Sequence, residues 1–428
     1  MQSINLTKNE IKYKDVSWDF KTSYTKESNH GFHTYPAMMI PQVARRLIET
    51  YGKDSKVLLD PFMGSGTALL EAALHKNFKK AYGIDINPLA LLISKVKTTP
   101  INPKTLWNNY HELMKNIFND KKEVNFKQKE VEKPNFFNIK FWFKPYVIID
   151  LAIIKNNINN IKDKDIKDFF LVAFSETVRN VSNTRNREYK LYKMSSQMLE
   201  KHNPNTLDEF REKLKANISR MENYFEDHNK NCKINILTED TRNKTSIKDG
   251  EVDLIVTSPP YGDSRTTVAY GQFSRLALQW LGYDNKKVLD IDKVSLGGIP
   301  VKDLKNGLDS KTLKETLNKI AEQDSRRAKD VLSFYIDFDK CVEELHRVTK
   351  KGAFLCFVVG NRTVKGVQIP TDDIIVELFQ KRNHYKHHNT FIRNIPHKRM
   401  PKLNSPTNIS GNHAVTMNEE WIIILEKE

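Results

Sequence analysis

The chain has 428 residues, of which 39% are hydrophobic and 29% charged, and its formal net charge is +16. This composition is that of a globular protein with a sizeable core, and it excludes disordered and fibrous classes. The excess of Lys and Arg favours a polyanionic partner, nucleic acid first.

Apolar runs and cysteines narrow the class further. No apolar run approaches the ~20 residues of a membrane span, so no membrane partner is expected. The three cysteines have neither paired nor metal-type spacing, which disfavours a disulfide framework and a metal site. The polar N-terminal stretch lacks a signal-peptide core, so we expect a cytoplasmic protein.

The first hundred residues alternate helices and strands. A helical pattern over residues 36–51 precedes the strand "KVLLDPF", the helix "GTALLEAALHK", the strand "KKAYGIDI" and the helix "NPLALLISKVK". Strand–turn–helix repeats of this kind predict a parallel sheet covered by helices, hence an α/β fold.

Residues 101–230 differ in character, with many Asn, Lys and aromatic residues and long helical stretches. We interpret them as an inserted, largely helical domain. The α/β pattern then returns with the strands "KINILTED", "VDLIVTSPPYG", "GAFLCFVVGN" and "EEWIIILE". The charged region 284–330 is expected at the periphery. The organisation predicted is one catalytic domain, residues 1–100 and 231–428, split by the insertion.

A glycine-rich turn, "DPFMGSGT" at residues 60–67, separates the first strand from its helix. Gly64 and Gly66 let backbone approach a ligand without a Cβ in the way. The next strand ends at Asp85, at a ribose-reading distance from the turn. Leu69 replaces the third glycine of a dinucleotide fingerprint, and no Gly-Lys-Ser/Thr follows. A nucleoside without phosphates, such as S-adenosylmethionine, fits better, and an ordinary tight turn is the alternative.

The strand "VDLIV" runs directly into Thr257-Ser258-Pro259-Pro260-Tyr261-Gly262. One ligand that would suit such a rigid set is a flat ring that bears an exocyclic amine, whose nitrogen is a poor nucleophile because its lone pair is delocalised into the ring. A site that accepts both N–H bonds localises that pair, and Ser258 Oγ and the Pro259 carbonyl are the candidate acceptors. Pro259 and Pro260 hold the backbone rigid, while Tyr261 offers a ring for stacking on an extruded base. A plain turn or a proline-rich ligand is the alternative interpretation.

Together, "DPFMGSGT" and "TSPPY" resemble the motifs of the S-adenosylmethionine-dependent amino-methyltransferases of DNA. "HTYPAMMI" is similar to the family's segment at the methionine moiety, and "VVGNRTVKGVQIP" to a late structural motif. The resemblance implies a Rossmann-like, mostly parallel methyltransferase sheet, S-adenosylmethionine as cofactor and double-stranded DNA as substrate. The motif order is similar to the class with its target-recognition domain between the two motifs. Ser rather than Asp before Pro-Pro-Tyr is more typical of the cytosine-N4 enzymes.

The resemblance also assigns roles to individual residues. Catalysis is expected from Ser258, Pro259, Pro260 and Tyr261. The residues expected to bind the cofactor are Thr34, Tyr35, Asp60, Phe62, Gly64, Gly66, Thr67, Asp85, Ile86 and Asp240. Asp240 ends the strand "KINILTED" and is a candidate partner for the adenine amine, with a solvated acid as an equal alternative.

Two basic, acid-poor stretches are candidates for nucleic-acid contact, "VRNVSNTRNREYKLYKM" and "KRNHYKHHNTFIRNIPHKRMPK". Cations contact phosphates, and aromatic and Asn side chains read or hold bases. A solvated basic surface is the alternative for either run. The residues expected to bind nucleic acid are Arg179, Arg185, Arg187, Tyr189, Lys190, Arg393, Lys398 and Arg399.

The leading hypothesis is a site-specific DNA cytosine-N4 methyltransferase that acts on a flipped base in restriction-modification, with a cognate restriction endonuclease as partner. Methylation of adenine N6 in DNA or of guanine N2 in RNA would use the same kind of site, and both remain alternative functions. A non-catalytic nucleic-acid-binding subunit with a degenerate fold is a further alternative. Carbon-5 methylation needs an activated cysteine, and none of the three cysteines lies in either motif.

Overall fold

The computed structural model describes residues 11–185, 188–263, 267–305, 307–382, 384–396, 403–404, 414–415 and 417–428. The strands are β1 (Lys12–Lys14), β2 (Val57–Asp60), β3 (Lys80–Ile84), β4 (Lys233–Leu237), β5 (Val252–Thr257), β6 (Thr349–Val359), β7 (Thr363–Val364), β8 (Val367–Gln368), β9 (Tyr385–Asn394), β10 (Leu403–Asn404), β11 (Ala414–Val415) and β12 (Glu419–Lys427).

Helices lie between most of these strands. They are α1 (Pro41–Tyr51), α2 (Thr67–Leu74), α3 (Pro88–Thr98), α4 (Pro103–Asn125), α5 (Ile139–Trp142), α6 (Pro145–Asn159), α7 (Lys164–Asn180), α8 (Ser196–Lys201), α9 (Thr206–Asp227), α10 (Tyr270–Leu281), α11 (Asn285–Val294), α12 (Lys311–Ala321), α13 (Ser325–Val348) and α14 (Thr371–Gln380).

The main sheet has eight strands in the order β1-β9-β12-β6-β5-β2-β3-β4. Neighbours from β6 to β4 are parallel, whereas β12 runs antiparallel to both β6 and β9. This topology confirms the predicted α/β class with a Rossmann-like, mostly parallel sheet. The strand order reverses beside β2, where β3 lies on one side and β5 on the other. Ligands of open parallel sheets bind outside the carboxyl ends of the strands at such a reversal.

Both faces of the sheet are buried, which explains the continuous apolar runs of its central strands. Side chains alternate between faces along a strand. Leu58 and Leu254 pack with α1 and α2 on one face, and Leu59 and Ile255 pack with α13 and α14 on the other.

Residues 101–230 are largely helical, as predicted, but their core is continuous with that of the sheet-covering helices. One apolar cluster joins Phe170 of α7 and Ile218 of α9 to Leu70 of α2, Ile93 of α3 and Trp280 of α10. The insertion therefore adds a helical layer over α2, α3 and α10. Its role in target recognition stays a prediction.

Two expectations about peripheral and basic regions need correction. The stretch "YKHHNTFIRN" is strand β9, inside the sheet between β1 and β12. Region 284–330 is not wholly peripheral, because Ile291, Ser295 and Leu296 line the cleft described below. In the part of the chain that the structure describes, no helix is long and apolar enough to cross a membrane.

Candidate active site

A cleft with about 1040 Å³ of empty volume, part of it open to solvent, lies at the carboxyl ends of β2, β3, β4 and β5. Segments distant in sequence contribute to its walls. The sequence-predicted residues that line it are Tyr35, Asp60, Phe62, Gly64, Thr67, Asp85, Ile86, Asp240, Ser258 and Pro260. The fold thus brings the glycine-rich turn and the Ser-Pro-Pro-Tyr turn to one cavity.

The glycine-rich turn has a shape that requires its glycines. Gly64 and Gly66 have φ angles of 48° and 76°, in the left-handed region that favours glycine. A Cβ at Gly66 would lie 2.7 Å from Ser94 Oγ, and that hydroxyl donates to the Gly64 carbonyl at 2.9 Å. Gly66 therefore packs closely against Ser94 of α3, whereas Gly64 lines the cleft.

Asp85 anchors the turn from the end of β3. Its carboxylate accepts hydrogen bonds from Gly64 N at 3.0 Å and from Asn87 N at 2.8 Å. Burial raises the pKa of Asp85 to about 6, although these backbone donors oppose the shift. At neutral pH the cleft consequently presents a carboxylate acceptor beside the glycine turn.

An aromatic wall stands next to this carboxylate. Asn87 Nδ2 donates to Tyr35 Oη at 3.1 Å and to Ser274 Oγ at 2.8 Å. The Tyr35 ring stacks on Tyr270, with centroids 6.0 Å apart and an interplanar angle of 23°. Tyr35, Asn87 and Tyr270 all line the cleft.

Asp60 forms part of the floor between the two turns. Thr257 Oγ1 donates to its carboxylate at 2.6 Å, and Phe62 N donates at 3.2 Å. Burial nevertheless raises the pKa of Asp60 to about 7, because its desolvation outweighs these two bonds.

Asp240 lines the cleft but is also one half of an ion pair. Arg242 Nε lies 2.9 Å and 3.0 Å from its two carboxylate oxygens, and Arg242 Nη1 reaches Asp337 at 3.0 Å. The predicted contact of Asp240 with an adenine amine stays a prediction.

The Ser-Pro-Pro-Tyr turn follows β5 directly. Ser258 and Pro260 line the cleft, whereas Pro259 and Tyr261 are not among its lining residues. Ser258 Oγ is 3.3 Å from Tyr261 Oη, and Tyr261 Oη donates to Glu420 Oε1 at 3.1 Å. The rings of Tyr35 and Tyr270, rather than that of Tyr261, face the cavity. Stacking of Tyr261 on an extruded base therefore stays a prediction.

Two predicted cofactor residues, Thr34 and Gly66, do not line the cavity. Thr34 is exposed and does not line the cleft, whereas its neighbour Tyr35 does. Segment 34–35 thus contributes through the aromatic ring alone.

The first basic run lies close to the site. The guanidinium of Arg179 stands 4.4 Å from the Phe273 ring centroid, and the Tyr189 ring meets the same phenylalanine edge-on at 6.4 Å. Leu191 N donates to Gln272 Oε1 at 3.2 Å, which ties the run to the start of α10 beside the cleft-lining Tyr270. Tyr189 and Arg185 are exposed.

Arg179 itself is a buried support rather than a surface cation. It is 7% exposed, it donates to the Glu188 carbonyl, and burial lowers its pKa to about 10. Its place on α7 beneath the basic run corrects the expectation that it contacts nucleic acid directly.

Arg393 needs the same correction. It is 2% exposed on β9, its Nη1 pairs with Glu420 Oε2 at 2.9 Å, and its Nη2 donates to the Asp19 carbonyl at 3.4 Å. Its side chain is a buried ion-pair partner rather than a surface cation, which disagrees with the expectation that it contacts nucleic acid directly. Arg187, Lys398 and Arg399 lie outside the described residues.

Sequence reasoning missed several residues of the site. Asn87 could have been predicted as a site residue, because it is a polar residue directly after the strand that ends in "GIDI". Tyr270, Arg242 and Leu296 line the cleft without any such signal. Glu420, which bonds Tyr261, comes from the far end of the chain.

Comparison with known proteins agrees with this geometry. The N6/N4 DNA methylase family model matches residues 1–96. The chain is 47% identical over 429 residues to the Type II methyltransferase M.MvaI of Kocuria varians, covering 95% of this chain and 93% of that one. It is 23% identical over 234 residues to the Type II methyltransferase M.MjaII of Methanocaldococcus jannaschii, covering 40% and 44% of the two chains.

A solved rRNA methyltransferase, aviRa from Streptomyces viridochromogenes, matches with a TM-score of 0.27 at 10% identity, over 81% of this chain and 91% of that one. The near full-length identity to M.MvaI, together with the family match over the glycine turn, confirms the resemblance found in the sequence. The chain therefore belongs to the N6/N4 DNA methylase family and is a Type II DNA methyltransferase that uses S-adenosylmethionine.

Proposed function

We propose that this protein methylates the exocyclic N4 amine of a cytosine extruded from double-stranded DNA. The observation that carries the proposal is the position of Ser258, whose side chain lines the same cleft as the glycine turn and Asp85. The base must leave the duplex because its amine cannot meet a methyl donor inside the stack.

The cleft fits a donor that carries a nucleoside and a sulfonium. The Asp85 carboxylate is an acceptor for ribose hydroxyls, and Gly64 leaves the backbone of the turn open to the ligand. The rings of Tyr35 and Tyr270 face the cavity and favour a cationic centre. S-adenosylmethionine, when bound, supplies a methyl group activated by its sulfonium.

Ser258 acts on the amine rather than on the donor. Its oxygen accepts an N–H bond of the base and draws the nitrogen lone pair out of the ring, and the Pro259 carbonyl is the second acceptor proposed. The proline pair fixes this backbone, so the acceptors need no reorganisation during transfer.

The choice of cytosine rests on the residue before the two prolines. In the DNA amino-methyltransferases that this chain resembles, Ser rather than Asp before Pro-Pro-Tyr is more typical of cytosine-N4 enzymes, and Ser258 holds that position. The same cleft geometry would also serve adenine N6. We further propose that the modification protects sites from a cognate restriction endonuclease, supported by the identity to a Type II methyltransferase.

Labelled S-adenosylmethionine tests the proposal. The protein is incubated with plasmid, with synthetic adenine-only or cytosine-only target duplexes, and with transfer RNA, and each product is digested to nucleosides. The expected label is in N4-methylcytosine from DNA. Label only in N6-methyladenine overturns the base assignment, and label only in transfer RNA overturns the substrate class.

A further inference from the structure

Three side chains form a chain of hydrogen bonds that begins at the cleft, and the last of them has no role in the function described so far. Ser258 Oγ lies 3.3 Å from Tyr261 Oη, and Tyr261 Oη lies 3.1 Å from Glu420 Oε1. Ser258 faces the cavity, while Glu420 sits at the start of β12 with an 18% exposed side chain.

The direction of these bonds follows from donor counting. Tyr261 Oη donates to Glu420 Oε1, so its single hydroxyl hydrogen points to Glu420. Tyr261 Oη then accepts, and the Ser258 hydroxyl must donate to it. The Ser258 lone pairs are left to the cleft, where they accept an N–H bond.

Arg393 holds the end of this chain in place. Its guanidinium is buried and lies 2.9 Å from Glu420 Oε2, leaving Oε1 to Tyr261. Arg393 and Glu420 are directly opposite each other in the β9–β12 pairing, so the sheet itself sets their distance. Arg393 thereby fixes the position of the carboxylate oxygen that accepts from Tyr261.

The Tyr261 ring has little freedom to leave the chain. It packs against the core cluster beneath the cleft, and a Cβ at Gly360 would lie 2.8 Å from Tyr261 Cδ2. Gly360 thus gives the ring just enough room to reach both Ser258 and Glu420.

We propose that Glu420 is a positioning residue that acts through Tyr261, orienting Ser258 as an acceptor and taking up the proton released by the methylated amine. This inference rests on the proposed function of Ser258. The amine nitrogen uses its lone pair for the new bond to the methyl carbon, and the donor keeps the electron pair of the bond that breaks. The nitrogen then loses one N–H proton to Ser258 Oγ and keeps that electron pair. Ser258 passes its own proton to Tyr261, and Tyr261 passes its proton to Glu420, which later returns it to solvent.

Two single variants and two double variants test the relay in single-turnover methylation at saturating donor and DNA. Tyr261→Phe keeps the ring and the Glu420–Arg393 pair, and Glu420→Gln keeps the side-chain shape. Each is expected to lower the rate about 10²-fold, the scale of one proton-transfer partner. The Tyr261→Phe/Glu420→Gln variant is expected to be no slower than the slower single variant, because both break one chain. Additive losses, or an unchanged rate in either single variant, would overturn the relay.

The second double variant separates the relay from simple structural support. Glu420→Gln leaves Arg393 buried without its partner, which lowers Tm. Arg393→Gln/Glu420→Gln removes that unpaired charge, so Tm is expected to recover while the rate stays low. Recovery of the methylation rate together with Tm would show that Glu420 only supports the fold, and would contradict the proposal.

Neutron diffraction of the protein without donor or DNA gives a readout independent of activity. The deuterons are expected on the Ser258–Tyr261 and Tyr261–Glu420 axes, donated in that direction, and a Tyr261 deuteron pointing at Ser258 would contradict the relay. The base found in the product of the native protein tests the proposed function separately. N6-methyladenine as the product would overturn the base assignment and leave the relay standing. Additive rate losses in the double variant, with N4-methylcytosine as the product, would overturn the relay and leave the base assignment standing.

Discussion

Thr257 Oγ1 donates a hydrogen bond of 2.6 Å to the carboxylate of Asp60, although 197 positions separate the two residues in the chain. Asp60 ends β2 and begins the glycine turn, while Thr257 ends β5 and begins the Ser-Pro-Pro-Tyr turn. The bond joins the glycine turn, where we propose that the donor binds, to the Ser-Pro-Pro-Tyr turn, which we propose faces the base. Because both groups are buried, it fixes the spacing of the two turns at the point where the strand order reverses.

The raised pKa of Asp60 predicts how stability depends on pH. An unfolded aspartate has a pKa of ~3.9, whereas that of Asp60 in the fold is about 7. Between these values the native state holds a proton that the unfolded chain has lost, so stability falls as pH rises through this window. Asp60→Asn cannot ionise, and its Tm is expected to fall less than that of the native protein between about pH 5 and about pH 8. Calorimetric Tm values that change in parallel for both proteins would contradict the assignment.

Asp85 predicts a pH dependence of donor binding. Its pKa of about 6 means that the carboxylate gains a proton as pH falls through that value. A protonated carboxyl is a weaker acceptor for ribose hydroxyls, so affinity for S-adenosylmethionine should fall below about pH 6. Asp85→Asn should bind about 10-fold to 100-fold more weakly, with little pH dependence. Titration calorimetry measures both. Asp54→Asn, at an exposed aspartate before β2 at the amino end of the parallel strands, is the control that should retain the dependence.

Ser258→Ala should separate methyl transfer from donor binding. Loss of the hydroxyl acceptor is expected to reduce single-turnover transfer about 10²-fold or more, because it acts on the amine in the transition state. Affinity for S-adenosylmethionine should stay within about twofold, because in the proposed arrangement the donor binds at the glycine turn and Asp85. Ser246→Ala is the matched control, an exposed serine at the amino side of β5. A large loss of donor affinity in Ser258→Ala would place the hydroxyl in donor binding instead.

The basic run beside α10 predicts a salt-dependent contribution to DNA affinity. Arg185→Ala and Lys190→Ala should each weaken DNA binding and reduce the slope of log affinity against log salt by about one. Lys53→Ala serves as control, because Lys53 precedes β2 at the amino end of the parallel strands, opposite the cleft. Fluorescence anisotropy over a salt series measures the slopes. Equal slopes for all three variants would remove this run from the DNA-binding surface.

The sequence predicted the centre of the site better than its surroundings. The apolar strands that lead to Asp60, Asp85 and Thr257 are largely buried, so each is a continuous run of apolar residues followed by turn residues. Such a pattern can be recognised in the local sequence. Strand β9 could not be recognised in this way. Its exposed and half-buried Lys and His residues resemble a surface segment, although its backbone pairs with β1 on one side and β12 on the other. The pairing of Arg393 with Glu420 depends on strand register, which no local pattern encodes.

Residues that complete the cleft from outside the motifs were equally hidden. Tyr270 and Leu296 belong to α10 and to the segment after α11, and only the packing of those helices over the sheet carries them to the cavity. Arg179 was misplaced for a related reason. Its charge suggested surface, but α7 buries it under Tyr189 and against Phe273.

A crystal structure with a non-reactive donor analogue and a DNA duplex that the protein methylates tests the central claim most directly. The account predicts an extruded cytosine in the cleft, with its N4 amine within hydrogen-bond distance of Ser258 Oγ, about 3 Å, and the donor analogue against Gly64 and Asp85. A cytosine amine directed away from Ser258, or a donor bound outside the glycine turn, would contradict it.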